Sequence, residues 1–244
     1  MSDYNFDWSV IVDYMPLLLR GLVVTLEIAG ITIAISMLAA VLVAVMRMSN
    51  IEVVRWTAQG YIELFRCTPL LVQLFWIFYA MPALTGVVLP GFVSAIIALS
   101  GNLTAFMAEA YRAGFQTVPV EQIEAGQMLR LTSFERLRYI ILPQALRQQT
   151  PVILSLNISL FKDTALVSTI AVSDLMFNSN TVAAQTYRAL EVFTAAGAAY
   201  FVIAFPVSLI VSRIERNAQA KSSRGPRAEK SVLRRIRPER TPAA

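Results

Sequence analysis

Residues 67–108 read CTPLLVQLFWIFYAMPALTGVVLPGFVSAIIALSGNLTAFMA, and no charged side chain interrupts these 42 residues. As one helix the run would be about 63 Å long, roughly twice the ~30 Å hydrocarbon core of a bilayer. We therefore expect two membrane-spanning helices in this run, separated by a turn at residues 81–91, where MPALTGVVLPG supplies two prolines and two glycines. The run predicts an all-α integral membrane protein.

The rest of the chain agrees with that class. Its 244 residues are 56% hydrophobic and only 15% charged, a balance typical of membrane proteins and not of soluble domains. We expect one membrane domain at residues 16–213 and a basic tail at residues 214–244 that is too polar to form a core and should be disordered. The five predicted spans are residues 21–46, 59–80, 92–111, 150–172 and 192–212.

Charge asymmetry predicts the orientation in the membrane. Residues 1–16 hold three aspartates and no Lys or Arg, whereas residues 213–244 hold ten basic and three acidic residues. Because basic residues concentrate on the cytoplasmic side, we expect the N-terminus to lie outside and the C-terminus to lie in the cytoplasm. The tail is expected to bind anionic lipid headgroups or, alternatively, a protein.

Several chemistries are excluded by what the chain lacks. It has one cysteine, Cys67, and no histidine, so neither an internal disulfide nor an ordinary zinc site is expected. No Gly-x-x-x-x-Gly-Lys-Ser/Thr loop is present, so we do not expect ATP binding by that route. We expect no catalytic residue, metal or cofactor in this chain and no nucleic-acid partner.

A polar stretch between apolar segments, from Arg112 to Arg147, contains five arginines and three glutamates. Proline at 119 is suited to the start of a first short helix. Thr132 and Glu135 have the spacing of a capping box that would open a second helix. We expect these two helices to form a hairpin loop (residues 119–142) that docks on a protein, or alternatively lies on the lipid surface.

Phe134, Leu137 and Ile141 are expected to share one face of the second helix, which Pro143 would end.

Two charged residues fall inside the predicted fourth span. Lys162 and Asp163 lie near its middle, where a charge is costly and normally faces a protein interior or a water-filled path. On a helix, Asp163 shares a face with Ser159, whereas Lys162 shares one with Ser155. The alternative is that both side chains only form hydrogen bonds with other helices or subunits. The candidates for a substrate path are Ser155, Asn157, Ser159, Lys162 and Asp163.

The second span carries one charged pair. Glu63 and Arg66 are expected to form an ion pair or to extend toward the interface, and Pro69 is expected to kink the helix.

The loop residues resemble a known motif. Glu124, Ala125 and Gly126, followed at fixed spacing by Arg130 and then by Ile140-Ile-Leu142-Pro143, are similar to the Glu-Ala-Ala (EAA) loop of ABC-transporter permease subunits. Three further stretches resemble the polar amino-acid uptake branch of that family: YIELFRCTPLL at 61–71, LPQALR at 142–147 and FKDTALV at 161–167. The segments FDWSVIV at 6–12 and AVMRMS at 44–49 look most like glutamate/aspartate-type permeases.

The resemblance implies a type I importer permease of a bacterial inner or plasma membrane that is not itself an enzyme. Its partners would be a second permease, two cytoplasmic ATPase subunits that bind ATP and Mg²⁺, and an external substrate-binding protein. The first loop helix would be the coupling helix, with Glu121, Glu124, Ala125, Gly126 and Arg130 toward the ATPase. Competing interpretations are a stand-alone carrier or channel and a non-transporting scaffold paired with an active permease.

The loop departs from the family pattern at two positions. Gly126 replaces the second alanine, and Arg130 replaces the usual turn glycine. Arginine in a left-handed turn costs about 1 kcal/mol or more. The turn is therefore built differently, or this copy couples less well, or Arg130 binds an acidic groove on the ATPase. We expect a heterodimer with a paralogous permease, with a homodimer as the alternative.

Overall fold

The computed structural model describes residues 5–222, and the side chains of residues 5–214. Within that part of the chain the structure is helical and contains no strand. In chain order the α-helices are α1 (Ser9–Asp13), α2 (Met15–Arg47), α3 (Glu52–Cys67), α4 (Leu70–Phe75), α5 (Met81–Thr85), α6 (Gly91–Gln116), α7 (Val120–Met128), α8 (Ser133–Arg136), α9 (Leu142–Asp163), α10 (Leu175–Thr186) and α11 (Ala189–Ser222). Two π-helical segments, Trp76–Ala80 and Leu137–Ile141, and one 3-10 segment, Thr164–Ile170, join neighbouring helices.

The predicted all-α fold with five candidate spans is confirmed. Four helical stretches are long and apolar enough to cross a membrane, at Met15–Arg47, Gly91–Gln116, Ser133–Ile170 and Ala189–Ile214. The fifth candidate is a pair, Glu52–Cys67 and Leu70–Thr85, bent by 107° at the break between them. The predicted kink at Pro69 is thus a complete break.

Two predicted boundaries differ from the structure. The α-helix of the fourth span ends at Asp163 instead of continuing to 172, so Lys162 and Asp163 lie at a helix end and not mid-helix. α11 continues to Ser222, past the predicted domain boundary at 213. The remainder of the predicted basic tail, residues 223–244, lies outside the described residues. Sequence analysis also missed α10.

Each π-helical segment stands immediately before a proline-containing turn. The segment at Trp76–Ala80 precedes Pro82, and the segment at Leu137–Ile141 precedes Pro143. Proline has no N–H, and its ring clashes with the carbonyl four residues earlier, so a local widening of the helix accommodates it. The prediction that Pro143 ends the second loop helix is therefore wrong, because α8 continues through the π segment into α9.

The core forms around α6, which packs against α2, α3 and α9. Small residues face each other where α2 meets α6. Ser36 and Ala40 on α2 and Ala95 and Ala98 on α6 are fully buried, and the Ser36 hydroxyl donates to the Ser100 carbonyl at 3.2 Å. In lipid, small side chains let helix backbones approach and gain van der Waals contact. α6 is therefore the central element of the bundle.

A second close approach joins α2 to the beginning of α10 at Gly21. A Cβ at Gly21 would lie 2.6 Å from Asn178 Nδ2 and 2.7 Å from the carbonyl oxygen of Asp174. Thr25 Oγ1 accepts a hydrogen bond from the Leu175 amide at 3.1 Å, and Asn178 Nδ2 donates to the Leu17 carbonyl at 3.0 Å. Only a residue without a side chain allows α10 to sit this close.

The hairpin loop contains the predicted capping box. Thr132 Oγ1 accepts from the Glu135 amide at 3.2 Å, and the Glu135 carboxylate accepts from the Thr132 amide at 2.8 Å. These two bonds begin α8, as the sequence spacing predicts. The expected apolar face is only partly buried, because Leu137 and Ile141 pack on the core while Phe134 is exposed.

Arg130 occupies the turn of the hairpin loop in the left-handed conformation, with φ 56°. Its amide donates to the Gln127 carbonyl at 2.8 Å, and the Leu131 amide donates to the Gly126 carbonyl at 3.0 Å. These two bonds are those of a Schellman motif, in which glycine usually holds the position of Arg130. The idea that the turn is built differently is therefore wrong. The turn has the usual Schellman geometry, and Arg130 adopts the positive φ that glycine would adopt without strain.

Gly21→Ala should destabilise the protein by about 1–3 kcal/mol, since the added methyl overlaps the backbone of α10. Gly30→Ala is the matched control on the same helix, because a Cβ there meets no atom within 4 Å. Thermal unfolding in detergent should show a lower midpoint for Gly21→Ala only. Equal midpoints for the two variants would show that α10 can move away from α2 without a loss of thermal stability.

Arg130→Gly should protect the amides of α7 from hydrogen exchange by relieving left-handed strain, which costs an L-residue about 1–2 kcal/mol. Part of the gain is offset by the greater backbone entropy of glycine in the unfolded chain. Arg130→Val should reduce protection, since a β-branched side chain tolerates positive φ least. Equal exchange in the glycine and valine variants would contradict the Schellman geometry.

Candidate functional site: an intramembrane cavity and a hairpin loop

A partly open cavity of about 210 Å³ lies between α6 and α9. Asn102 from α6 and Ser159 and Asp163 from α9 supply its polar groups. Its apolar lining residues are Leu103, Phe106, Leu156 and Leu160. The Ser159–Asp163 face predicted from helical spacing thus borders a real space, because α9 is a regular helix up to Asp163.

The other predicted path residues lie elsewhere. Ser155 and Lys162 are exposed and do not line the cavity, because they lie on a different face of α9 from Asp163. Asn157 is partly buried, and its side-chain oxygen is enclosed without a hydrogen-bond partner. The predicted face of Lys162 is therefore not part of the cavity.

One wall of the cavity is supported by hydrogen bonds at the break between α3 and α4. Gln73 Nε2 donates to the carbonyl oxygens of Phe65 at 2.8 Å and Thr68 at 3.0 Å. Asn102 Nδ2 donates to the same Phe65 carbonyl at 3.2 Å and to Gln73 Oε1 at 3.0 Å. These bonds satisfy backbone carbonyls that the break leaves without helical partners. They also fix the orientation of Asn102 at the cavity.

Charged side chains from α3 and α6 lie next to the cavity. The Arg66 guanidinium lies 5.7 Å from the ring centroid of Phe106, which lines the cavity. One helical turn further along α6, Glu109 pairs with Arg112. The predicted Glu63–Arg66 ion pair is not formed: Arg66 stacks on Phe106 instead, and Glu63 accepts from the Cys67 thiol at 3.6 Å.

A groove of about 410 Å³ lies in the bend between α3 and α4. Its lining is almost entirely apolar and includes Leu64, Val72 and Trp76. A polar solute would lose its hydration there without compensation. This groove is therefore a poor candidate for a polar substrate.

The hairpin loop presents a mixed surface. Glu121, Glu124, Ala125 and Arg130 are exposed, whereas Gly126 is buried. A Cβ at Gly126 would lie 2.9 Å from Ile140 Cδ1, so glycine at this position lets α7 pack closely on the π segment. Gln144 Nε2 also ties the two arms together by donating to Gln122 Oε1 at 2.7 Å.

Sequence analysis missed the apolar part of this surface. Met128 is 86% exposed and Leu129 is 74% exposed, and both stand at the tip beside Arg130. Exposed large apolar side chains at the tip of a polar loop are typical of a docking surface. Because both residues come immediately before Arg130 in the predicted turn, their exposure at the tip could have been predicted from the sequence.

Three polar residues, two of them buried, were also missed. Asn102 and Gln73 stand in the charge-free run, where any polar residue is noteworthy. Glu191, at the start of α11, is fully buried and accepts from the Asp7 amide at 3.1 Å, which ties the N-terminal segment to α11. Its ion pair with Arg188 is local, but nothing in the local sequence indicates that Glu191 is buried, because the Asp7 amide lies 184 residues away in the chain.

Comparison with known proteins identifies the fold. The family described as "Binding-protein-dependent transport system inner membrane component" matches residues 32–219. The glutamate/aspartate import permease protein GltK of Escherichia coli O6:H1 is 36% identical, over 87% of this chain and 98% of its own length. In Bacillus subtilis, the arginine transport system permease protein ArtQ is 31% identical over 88% of this chain and 99% of its own length. The L-cystine permease TcyB of the same organism is 38% identical over 83% and 87%.

Solved structures give the same result. An amino acid ABC transporter crystallised with histidines matches with a TM-score of 0.79 and 35% identity, over 88% of this chain and 100% of that chain. The inward-facing MetNI methionine ABC transporter matches with a TM-score of 0.68 and 21% identity, over 84% and 98%, which shows a shared fold. The chain belongs to the family of binding-protein-dependent transport system inner membrane components, the multi-pass permease subunits of ABC importers.

Proposed function

We propose that this permease moves a polar amino acid through the cavity between α6 and α9, with glutamate or aspartate as the leading substrate. The observation that carries the proposal is that Asp163 lines this cavity together with Ser159 and Asn102. Few polar groups in an otherwise apolar lining are what a small zwitterion needs for orientation. The likeness to GltK supports the acidic amino acids in particular.

Each end of a zwitterion has a counterpart near this space. The α-ammonium group of the substrate would bind Asp163 and donate to Asn102 Oδ1, because both amide hydrogens of Asn102 are already in use. The Ser159 hydroxyl would donate to the α-carboxylate. A second carboxylate would be attracted by Arg66, which stacks on the cavity residue Phe106. Charge-assisted hydrogen bonds of this kind are stronger than neutral ones.

A basic amino acid is the second candidate, because Asp163 is the one charged residue among those that line the cavity. An anion in that position would favour a cationic side chain. The likeness to ArtQ, at 31% identity, is consistent with it. Competition for uptake between glutamate, arginine and cystine decides between these classes.

Membership of the family implies an ATPase and a substrate-binding protein as partners. We assign the hairpin loop to the ATPase contact, with Glu121, Glu124, Ala125 and Arg130 beside the apolar Met128 and Leu129. α8, the π segment and α9 form one helical stretch from Ser133 to Asp163, about 46 Å at the usual rise. A displacement of the loop by the ATPase would therefore reach Asp163 through one continuous element. ATP and Mg²⁺ would be bound by the ATPase and not by this chain.

The orientation follows from charge. The basic C-terminal region would lie in the cytoplasm with the hairpin loop, and the N-terminus would lie outside. We also infer a heterodimer with a paralogous permease. A purified complex with two copies of this chain and no second permease would replace that inference with a homodimer. Coupling of uptake to ATP hydrolysis distinguishes the proposed role from a stand-alone carrier, and uptake itself distinguishes it from a scaffold.

Glu124→Arg should uncouple ATP hydrolysis from uptake, because it reverses a charge on the exposed face of α7 next to the apolar tip. The matched control is Glu52→Arg, which reverses an exposed carboxylate on α3, outside the hairpin loop. Both variants are reconstituted with the ATPase and binding protein, and substrate-stimulated hydrolysis and uptake are measured together. Full uptake by Glu124→Arg would remove this loop from the coupling interface.

Ser159→Ala should raise the KM for uptake about 3- to 10-fold, since a lost hydrogen bond costs about 0.5–1.5 kcal/mol. Ser155→Ala, the same change one turn away on α9 and outside the cavity, should leave KM unchanged. Asp163→Asn should have a larger effect, about 10- to 100-fold, because the lost bond is to a charged group. Equal effects of the two serine variants would place the path elsewhere.

A further inference from the structure

Lys162 is a charged side chain on a helix of a candidate membrane span, and neither the cavity nor the hairpin loop accounts for it. It is exposed, and among the described residues it forms neither an ion pair nor a side-chain hydrogen bond. Its neighbour Asp163 lies about 100° away around the helix, on the side that lines the cavity. Within the described part of this subunit, the positive charge of Lys162 is therefore not compensated.

This charge lies far along the apolar part of α9. Residues 148–161, which precede it, contain no charged side chain. Arg147, the nearest charge on that side, is 15 residues away, which is about 22 Å of helix against a hydrocarbon core of ~30 Å. Because Cα–Cβ bonds tilt toward the N-terminus of a helix, the Lys162 side chain is directed back along α9 and not toward the nearer end of the span. A cation in such a position normally faces protein or water.

Lys162 belongs to one exposed face of α9, which we call the α9 seam. From residue 150 to residue 163 the exposed positions are Val152, Ser155, Ser159 and Lys162, and every other position is partly or fully buried. Their spacing of three, four and three residues is that of a seam between two packed helices. Serine is enriched where membrane helices pack, because it lets backbones approach and can bond across the contact. The α9 seam therefore has the spacing and composition of a helix–helix contact.

The two serine hydroxyls of the α9 seam are available for such a contact. Ser155 and Ser159 donate to no acceptor in the described chain, whereas Thr150 on the same helix donates to the Leu146 carbonyl at 2.7 Å. Ser159 also lines the partly open cavity, so the seam is continuous with the proposed substrate site. A subunit packed on the seam would cover the open side of that cavity.

We propose that the second permease docks on the α9 seam and that a carboxylate of that subunit pairs with Lys162. The proposal rests on the two-permease assembly of the proposed function. Charge complementarity selects this occupant: lipid acyl chains offer no acceptor, and the C-terminal region of this chain, with ten basic and three acidic residues at 213–244, has the wrong sign. One charge at a defined level of a seam also fixes the register of the two helices.

Photo-crosslinking tests the surface in the complete transporter, with both permeases, the ATPase and the binding protein in vesicles. A small diazirine amino acid is incorporated in place of Ser155 or, as the matched control, in place of Val202, which is 67% exposed on α11. Illumination should join position 155 to the second permease, giving a product with the summed mass of two permeases, and should join position 202 to lipid. Products from position 155 that contain only lipid, or equal permease yields from both positions, would overturn the docking surface.

Two variants of Lys162 test the charge pair in the same complex. Lys162→Met removes the charge at similar length and should weaken association of the permeases about 30-fold or more, because the carboxylate of the partner is left buried without a countercharge. Lys162→Arg keeps the charge and should stay within about 5-fold of wild type. Association is measured as the loss of energy transfer between labelled permeases when the vesicles are diluted with lipid. If Lys162 faced lipid or water, Lys162→Met would associate as well as wild type or better, and that result would overturn the pairing.

Neither readout uses transport, so the docking surface and the proposed function fail separately. Amino-acid uptake by a complex that shows no permease crosslink at position 155 would refute the α9 seam alone. A complex that crosslinks at position 155 but takes up no amino acid would refute the proposed substrate and leave the docking surface standing. An intact mass that contains a single permease would refute the two-permease assembly and the docking surface with it.

Discussion

The structure depends on one constraint: a peptide group in lipid must find its hydrogen-bond partner inside the protein. At the break between α3 and α4, side chains provide such partners. Gln73 and Asn102 bind the carbonyls exposed at the break before Pro69. Where α6 meets α2, the hydroxyl of Ser36 binds a carbonyl of the neighbouring helix. The irregular points of the bundle are therefore the points where side chains are specified most tightly.

Two of these irregular points also border the proposed substrate cavity. The break between α3 and α4 orients Asn102 at the cavity, and the end of α9 places Asp163 opposite it. α6 provides the fixed surface between them, since it is packed on several sides by small residues. α9, by contrast, is continuous with the hairpin loop through its π segment. One wall of the cavity is therefore formed by the fixed helix α6, and the other is formed by α9, which is continuous with the hairpin loop.

Much of this could be predicted from the sequence, for physical reasons. A charge-free run too long for one span determines the fold class, and helical periodicity places Ser159 and Asp163 on one face. The capping box at Thr132 was readable because its bonds are local. The 107° bend was not, because Pro69 indicates an interruption without its angle. Nor were the burial of Asp174 and Glu191, since their surroundings come from α2 and the N-terminal segment, more than 140 residues away in the chain. A different turn at Arg130 was one of three possibilities that the sequence left open, and the structure shows that the two backbone bonds of the left-handed turn persist.

Arg130 has one more consequence. Arg130, whose backbone is in the left-handed conformation, lies at the carboxyl end of α7, where the helix dipole is negative. The attraction between the guanidinium charge and this dipole offsets about 0.3–1 kcal/mol of the backbone strain. The outermost point of the hairpin loop therefore bears a fixed positive charge where glycine would bear none. Coulomb attraction at an exposed contact weakens as counterions accumulate. The affinity of this permease for a partner bound at that tip should therefore decrease as the ionic strength of the surrounding solution rises.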